Sequence, residues 1–275
     1  MYYNKEYIAD KAGTLYDFLI EKIDGNKKNI KNLLSNKKVI INNKIVTKYD
    51  YQLKSKTKVI VNTNKSSLNL LYEDKELIIV DKPAKLLTIS DNKIINNLYR
   101  KVSAYVKAKN KKSKIFIVNR LDRETSGIVV FAKDINTKNL IQNDWHNAKR
   151  YYVAIVNGIA KEKDLLRGYL KEDDNHVVYQ TSNASDGKLA ITEYKKIRNT
   201  KYHSWLDIRI KTGRKNQIRV QLKDANLPIK GDTKYGKDKV KEKRMYLHSY
   251  KISFNHPLTN KKIEVSSLLP NEFGL

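Results

Sequence analysis

Residues 119–127 read Asn119-Arg120-Leu121-Asp122-Arg123-Glu124-Thr125-Ser126-Gly127, a charged loop between two apolar runs. The apolar runs, residues 115–118 and 128–131, are rich in Ile, Val and Phe, which predicts a buried strand on each side. Catalytic groups are often carried on loops that a rigid sheet holds in place. Taken alone, the loop fits two interpretations, a surface turn with a local salt bridge and an active site.

Other segments of the chain also place polar side chains beside apolar runs. In chain order they are Asp81-Lys82-Pro83, Lys149-Arg150-Tyr151-Tyr152, Lys211-Thr212-Gly213-Arg214-Lys215-Asn216-Gln217-Ile218-Arg219, Pro228-Ile229-Lys230-Gly231-Asp232, Leu247-His248 and His256-Pro257-Leu258-Thr259. From about residue 69 to 270, the order and spacing of these motifs resemble the RluA family of RNA pseudouridine synthases.

The resemblance implies a catalytic centre built around Asp122. That residue would be the carboxylate that acts on the nucleotide, and Tyr152 would lie against the uracil ring. Arg219 would keep Asp122 ionised in a closed pocket through two charge-assisted hydrogen bonds. The alternatives are a core or edge tyrosine for Tyr152 and a purely structural buried ion pair for Arg219.

The same resemblance implies substrate contacts. Arg120 would fill the position that the target base vacates when it leaves its stack, with a phosphate contact or a surface salt bridge as the alternative. Arg214, Gln217 and Ile218 lie in the motif that would bind the substrate.

Two positions depart from the family pattern. Asn119 and Asn216 stand where the family usually has histidine. An amide replaces one imidazole hydrogen bond but takes no charge, so these changes bear on fine geometry or substrate choice, not on the reaction. His248 and His256 are expected to be structural.

The strand-like runs come without a regular β-α-β rhythm, which predicts an α+β fold with a mixed, largely antiparallel sheet. We expect a small N-terminal domain over residues 1–63, a polar linker over 64–68 and a catalytic domain over 69–275. The basic run at residues 107–114 is expected to be an exposed loop and a further RNA contact.

Residues 12–62 read as two short helices, a hairpin and a further strand, an arrangement that resembles the S4-like RNA-binding domain. Their lysines bracket the second helix and the hairpin entry and are expected to contact RNA, unless they form an ordinary solvated face. These lysines are Lys27, Lys28, Lys31, Lys37 and Lys38.

The formal net charge is +27, from 56 Lys+Arg against 29 Asp+Glu. Such a chain attracts polyanions, which leaves RNA, DNA and an anionic membrane surface as partners, unless the charge only reflects a Lys-rich lineage. No apolar run approaches the roughly 20 residues of a membrane span. The absence of cysteine excludes thiolate catalysis, and the five histidines show no metal-ligand spacing.

The leading hypothesis is a cytoplasmic, monomeric pseudouridine synthase that needs no cofactor or metal. It would act on structured RNA, with large-subunit (23S) ribosomal RNA favoured and transfer RNA as a second class. The alternatives are an RNA-binding or ribosome-assembly protein that kept the fold without the activity, and a DNA or membrane-surface protein attracted by charge alone.

Overall fold

The computed structural model describes residues 3–23, 27–35, 38–42, 44–63, 68–90, 96–236 and 242–275. The chain divides into two compact units, Met1–Ser67 and Leu68–Leu275. Each unit encloses hydrophobic core residues of its own.

Unit 1 combines two helices with short antiparallel strands. The helices are α1 (Leu15–Lys22) and α2 (Lys27–Ser35), and the strands are β1 (Tyr3–Ile8), β2 (Gly13–Thr14), β3 (Val39–Ile41), β4 (Lys44–Ile45), β5 (Gln52–Leu53) and β6 (Lys58–Thr63). The main sheet has the order β1-β6-β3-β4, and β2 pairs with β5. Thr14 caps α1 by accepting a hydrogen bond from the Asp17 N–H. The helices, hairpin and strand expected from the sequence are present, whereas β1 was not predicted.

Unit 2 is a large, mostly antiparallel sheet with helices on its faces. Its strands are β7 (Asn69–Glu73), β8 (Leu77–Lys82), β9 (Phe116–Ile117), β10 (Ser126–Ala132), β11 (Lys149–Asn157), β12 (Lys163–Glu172), β13 (Val178–Thr181), β14 (Lys188–Asn199), β15 (His203–Ile210), β16 (Leu247–Asn255) and β17 (Lys262–Ser266). Its helices are α3 (Leu98–Lys109), α4 (Ile135–Asp144) and α5 (Gln217–Asp224), followed by a 3-10 turn at Asn271–Phe273.

The strand order is β13-β12-β14-β15-β11-β16-β10-β8-β7, with β17 on β16 and β9 on β10. Among the described residues every pairing in this sheet is antiparallel except that of β10 with β16. The predicted α+β fold with a mixed, largely antiparallel sheet is therefore confirmed.

Side-chain alternation along β8 and β10 gives the sheet two buried faces. Ile78 and Val80 join the main core with α3, whose Val102 packs against them. Their neighbour Ile79 faces the other side, in a second core with Ile141 of α4. The helices α3 and α4 therefore lie on opposite faces of these strands.

Two local predictions need correction. The basic run at residues 107–114 is exposed, but it is not wholly a loop, because α3 continues to Lys109. Lys107 and Lys109 extend it through the last turn, where cations favour the helix dipole. The strand expected over residues 115–118 is reduced to Phe116–Ile117. In the part of the chain that the structure describes, no helix is long and apolar enough to cross a membrane.

Candidate active site

The fold brings Asp122 and Arg219 together across 97 residues of sequence. Asp122 lies in the loop before β10, and Arg219 lies in the first turn of α5. The Arg219 Nη1 donates to Asp122 Oδ2 at 3.0 Å. The Asp122 side chain remains 28% exposed, whereas that of Arg219 is 8% exposed. A carboxylate is thus presented at the surface of the site by a cation buried behind it.

Arg219 holds a second carboxylate more firmly than the first. Its Nε donates to Asp232 Oδ2 at 2.7 Å and its Nη2 donates to Asp232 Oδ1 at 2.8 Å. The expectation that Arg219 grips Asp122 with two hydrogen bonds is therefore wrong. Asp122 accepts one hydrogen bond, because the Nε and Nη2 groups of Arg219 both donate to Asp232.

The Arg219–Asp232 pair is charged on both sides. Burial works against the charge of Arg219, but the hydrogen bonds and charge of Asp232, together with Asp122, outweigh it and raise the pKa of Arg219. Burial likewise works against the Asp232 carboxylate, and Arg219 with the N–H groups of Tyr235 and Lys234 lowers the pKa of Asp232. Asp232 lay in a motif quoted from the sequence, but its partner becomes visible only in the fold.

Asn216 adds a third contact to the same guanidinium. Its Oδ1 accepts from Arg219 Nη1 at 3.1 Å, and its Nδ2 donates to the Tyr235 hydroxyl at 2.9 Å. The residue has a positive φ of 53°, a left-handed conformation that asparagine tolerates better than most residues. The Tyr235 ring lies 4.9 Å from the Arg219 guanidinium carbon. These contacts with Asp122, Asp232, Asn216 and Tyr235 fix the position of the Arg219 guanidinium.

Tyr152 lies on β11 in the main core, which also contains Leu121 and Ile218 from the two catalytic segments. It pairs across the sheet with Ile208 and Ser249. Burial raises the pKa of Tyr152, so its hydroxyl is protonated at neutral pH. Tyr151 packs its ring instead against Tyr250, at 6.3 Å between centroids.

Two buried side chains anchor the backbone of the Asp122 loop. The fully buried Lys82 donates to the carbonyls of Leu86 at 2.7 Å, Pro83 at 3.1 Å and Arg123 at 3.2 Å. Thr88 Oγ1 donates to the Leu121 carbonyl at 2.8 Å and accepts from the Leu121 N–H at 3.1 Å. The residues before and after Asp122 are therefore tied to the segment that follows β8.

The Lys82 side chain that anchors this loop is fully buried from solvent. Burial lowers its pKa to about 7, against the opposing charges of Asp122 and Glu124. Its three carbonyl acceptors match the three N–H donors of an ammonium group. Lys82 lay in a motif quoted from the sequence and Thr88 did not, and the anchoring role of neither was predicted, because residue identities do not show which backbone carbonyls come within reach.

The Asn119 side chain ties the start of the loop to β10. Its Oδ1 accepts from the Val130 N–H at 2.8 Å and its Nδ2 donates to the Ile128 carbonyl at 3.4 Å. The amide thus serves both a donor and an acceptor of the neighbouring strand.

The residues predicted to bind substrate fall in different places. Arg120 is exposed beside Asp122, and Ile218 is buried in the core that contains Tyr152. Arg214 is exposed, with its Nε bound to the Leu189 carbonyl at 2.9 Å.

Gln217 is 3% exposed, and both of its polar atoms are used within the protein. Its Oε1 accepts from Thr212 and Arg214, and its Nε2 donates to Ile191 and Thr192. Gln217 is therefore hydrogen-bonded within the protein through both polar atoms, and its expected substrate contact stays a prediction.

The lysines of unit 1 are only partly described. Lys27 and Lys31 are exposed on α2, and Lys38 is partly buried before β3. Lys37 and the side chain of Lys28 lie outside the described residues. The RNA-binding role of this group stays a prediction.

His248 lies on β16, paired with Ser126 of β10. Its Nδ1 is hydrogen-bonded to the Ser126 hydroxyl at 2.8 Å, and Arg244 donates to the same hydroxyl at 2.5 Å. Burial, followed by the charge of Arg244, lowers the pKa of His248 to about 4. This histidine is a neutral structural residue.

His256 approaches two acids, Asp74 and Glu76, closely enough for the three to be considered as metal ligands. Its Nδ1 accepts from the N–H groups of Leu258 and Thr259, so its Nε2 carries the proton and points to Asp74 Oδ2 at 3.3 Å. A metal on Nε2 would leave Nδ1 protonated against those two donors. The arrangement is better suited to a hydrogen bond than to a metal ion.

A cavity of about 180 Å³ lies beside His256 and is lined by Trp145, Phe254 and residues of α4. None of the residues grouped around Asp122 lines it.

Comparison with known proteins identifies the family. Residues 76–224 match the model of the RNA pseudouridylate synthase family. The chain is 31% identical over 221 residues to ribosomal large subunit pseudouridine synthase D of Neisseria meningitidis, covering 75% of this chain and 59% of that protein. It is 32% identical over 215 residues to an uncharacterized RNA pseudouridine synthase of Mycoplasma genitalium, covering 75% and 68%.

A third relative is tRNA pseudouridine synthase C of Haemophilus ducreyi, which is 30% identical over 229 residues, covering 76% of this chain and 93% of that protein. The solved structure of human RNA pseudouridylate synthase domain containing 4 shares the fold, with a TM-score of 0.65, 20% identity, and coverage of 76% of this chain and 92% of that one. The matched region spans less than two thirds of the Neisseria relative. The chain belongs to the RNA pseudouridylate synthase family, as the sequence resemblance predicted.

Proposed function

We propose that this protein isomerises uridine to pseudouridine in large-subunit ribosomal RNA, with Asp122 as the catalytic carboxylate. The observation that carries the proposal is the Asp122–Arg219 contact at 3.0 Å, between residues whose chain neighbours Leu121 and Ile218 share a core with Tyr152. Relatives named as ribosomal large subunit synthases support this RNA class. A relative named for transfer RNA keeps that RNA as the second candidate.

The reaction suits a site that offers one carboxylate and a protonated tyrosine. The bond between ribose C1′ and N1 of uracil breaks, the base turns, and C1′ joins C5. The proton on C5 leaves and N1 gains a proton, so nothing is oxidised or reduced. A single carboxylate serves either by attacking the nucleotide or by removing a ribose proton, and Asp122 is that carboxylate in both routes.

The surrounding residues then take distinct roles. Tyr152 lies against the uracil, where its ring provides a flat apolar surface and its hydroxyl stays neutral. Arg120 enters the stack position that the flipped uridine leaves, which offsets part of the few kcal/mol that unstacking costs. The lysines of unit 1 raise affinity by holding the same RNA at a second place.

The test compares wild-type protein with Asp122→Asn on large-subunit ribosomal RNA transcribed in vitro, with pseudouridine measured by mass spectrometry. Asp144→Asn on α4 is the matched control, since it removes an exposed carboxylate from the opposite face of the sheet. We expect pseudouridine with wild type and control and none with Asp122→Asn. Equal product from all three proteins would rule out Asp122 as the catalytic carboxylate, and no product from any of them would favour an RNA-binding protein without the activity.

A further inference from the structure

The solvent side of α3 and the turn that follows it are unusually basic. Residues 96–114 contain no Asp or Glu, while their seven cations are Arg100, Lys101, Lys107, Lys109, Lys111, Lys112 and Lys114. We use the term α3 basic surface for the five that are exposed and pair with no carboxylate among the described residues, namely Arg100, Lys107, Lys111, Lys112 and Lys114.

Lys109 differs from these five because it forms an ion pair with a carboxylate of the protein itself. Its Nζ donates to Glu73 Oε2 at 2.9 Å and lies 4.5 Å from the centre of the Tyr105 ring. Tyr105 donates to the same carboxylate at 2.8 Å. One lysine therefore fastens α3 to β7, and the charges of the α3 basic surface are left to face outward.

This surface begins next to the catalytic loop. The N–H groups of Leu98 and Tyr99, at the start of α3, donate to the carbonyls of Leu87 and Thr88 at 2.9 and 3.0 Å. Thr88 in turn is bonded to Leu121, the residue before Asp122. With a rise of 1.5 Å per residue, a helix of 12 residues leads about 18 Å away from that point.

The face of the sheet on which α3 packs also bears on its contact with RNA. Its buried residues pack into the core that holds Tyr152, so α3 lies on the active-site face of the sheet. An RNA strand with one uridine turned into the site has to continue over this face. Its phosphates then meet exposed cations and no acidic side chain of α3.

We propose that the α3 basic surface binds phosphates of the substrate RNA strand beside the target uridine. The proposal rests on the function proposed above and adds a second RNA contact in unit 2. Lysines act here as point charges on phosphates, so the surface contributes affinity and position without reading bases. Its contribution falls as salt rises, because each phosphate contact releases condensed counterions.

The test replaces three of these lysines, as Lys107→Gln, Lys111→Gln and Lys114→Gln together. Glutamine keeps the helix propensity of lysine and removes the charge. The matched control is Lys138→Gln, Lys261→Gln and Lys262→Gln together, which removes three charges near α4 and β17, on the other face. A third protein with arginine at positions 107, 111 and 114 retains the charge.

Binding to in vitro transcribed large-subunit ribosomal RNA is measured over a range of salt concentrations, and pseudouridine formation gives KM and kcat. For the glutamine variant we expect the slope of log affinity against log salt to fall by about 2, and KM to rise on the order of tenfold to a hundredfold. We expect kcat to stay unchanged. The arginine protein and the control should behave as wild type.

Equal salt slopes for the α3 variant and the control would overturn the proposal, as would a fall in kcat with unchanged KM. Asp122→Asn separates the two proposals, since it should bind with the wild-type slope and form no product. If the wild-type protein binds this RNA and forms no pseudouridine, the proposed function fails while the salt slopes still decide the role of α3.

Discussion

The Arg219 guanidinium is shared between two carboxylates that it holds unequally. Asp232 accepts two hydrogen bonds from Arg219 and is almost completely buried, whereas Asp122 accepts one and stays partly exposed. A carboxylate held at one oxygen keeps its other oxygen available to a substrate. Arg219 therefore forms its buried ion pair with Asp232 and leaves Asp122, the proposed catalytic carboxylate, the more accessible of the two.

Replacing Asp232 with asparagine should release Arg219 without touching the reacting groups. We expect kcat to fall about a hundredfold because Arg219 no longer directs Asp122, with little change in KM. Breaking a buried pair also costs about 3–5 kcal/mol of stability, so circular dichroism must first define a temperature at which the variant is folded. Asp224→Asn, in an exposed pair on the same helix, is the control and should leave kcat unchanged.

The buried His248 predicts a specific loss of stability in acid. Its folded pKa of about 4 lies below the ordinary value of 6.5, so between these values the unfolded chain binds a proton that the folded chain does not. The stability that neutral His248 contributes is complete above pH 6.5 and is lost as the pH falls to 4. The loss is about 3 kcal/mol.

His248→Asn removes this titrating group. We expect the difference in unfolding free energy between wild type and variant to shrink by about 3 kcal/mol from pH 7 to pH 4, as measured by urea unfolding. Other acidic groups act in both proteins and cancel. A difference that stays constant with pH would show that His248 does not cause the loss.

Among single residues, the sequence motifs named the proposed reacting groups but not the residues that support them. Asp122, Tyr152 and Arg219 were named from motifs, and the fold brings the first and last together. The role of Asp232 and the anchoring by Lys82 were not predicted, because both depend on distances between segments far apart in the chain.

At the scale of elements, the close approach of β10 to β16 depends on Gly127. This residue pairs with Ser249 and has a φ of +116°, and a Cβ built on it would lie 2.1 Å from the Ser249 carbonyl oxygen. Only glycine permits this approach. The same strand pair joins the Asp122 loop to the strand that lies beside Tyr152.

Gly127→Ala should therefore push two central strands apart. We expect unfolding free energy to fall by about 3 kcal/mol or more, through overpacking and backbone strain, as read from urea unfolding. Gly13→Ala is the control, because its added methyl meets no atom within 4 Å, and it should change stability by no more than about 0.5 kcal/mol. A similar stability for both variants would contradict this account.

The apolar runs at residues 115–118 and 128–131 predicted β9 and β10, whereas the two longest strands of unit 2, β12 and β14, were not predicted. Charged residues at both ends of β12 and β14 leave no long apolar run to mark them as strands, and β9 is shorter than its run because only Phe116 and Ile117 pair with β10. The start of β1 is polar and charged, and it becomes a strand because β6 offers it a free edge. The end of α3 was predicted as loop since lysines alone do not distinguish an exposed helix turn from a coil.

At the scale of the whole molecule, each unit has its own buried core. That of unit 1 lies between Ala9 and Val61, and those of unit 2 begin at Leu77. Units with separate cores are able to fold separately. The S4-like character of unit 1 stays a prediction, and its contribution to the reaction is open to a direct test.

A fragment of residues 68–275 should fold and keep kcat on a short RNA stem-loop that contains the target uridine. On long ribosomal RNA we expect its KM to rise at least about tenfold, because the second attachment to the same molecule is lost. Steady-state assays on both RNAs measure this. An unchanged KM on the long RNA would remove unit 1 from substrate binding.

The amides of Asn119 and Asn216 have a consequence for how the protein responds to pH. Both stand where the resemblance led one to expect histidine, and both hold the frame around Asp122 and Arg219. Histidine changes its charge between about pH 5 and 8, and an amide does not. These two amides therefore offer the same donors and acceptors throughout that range, and neither adds a titrating group to the acid limb of an activity profile.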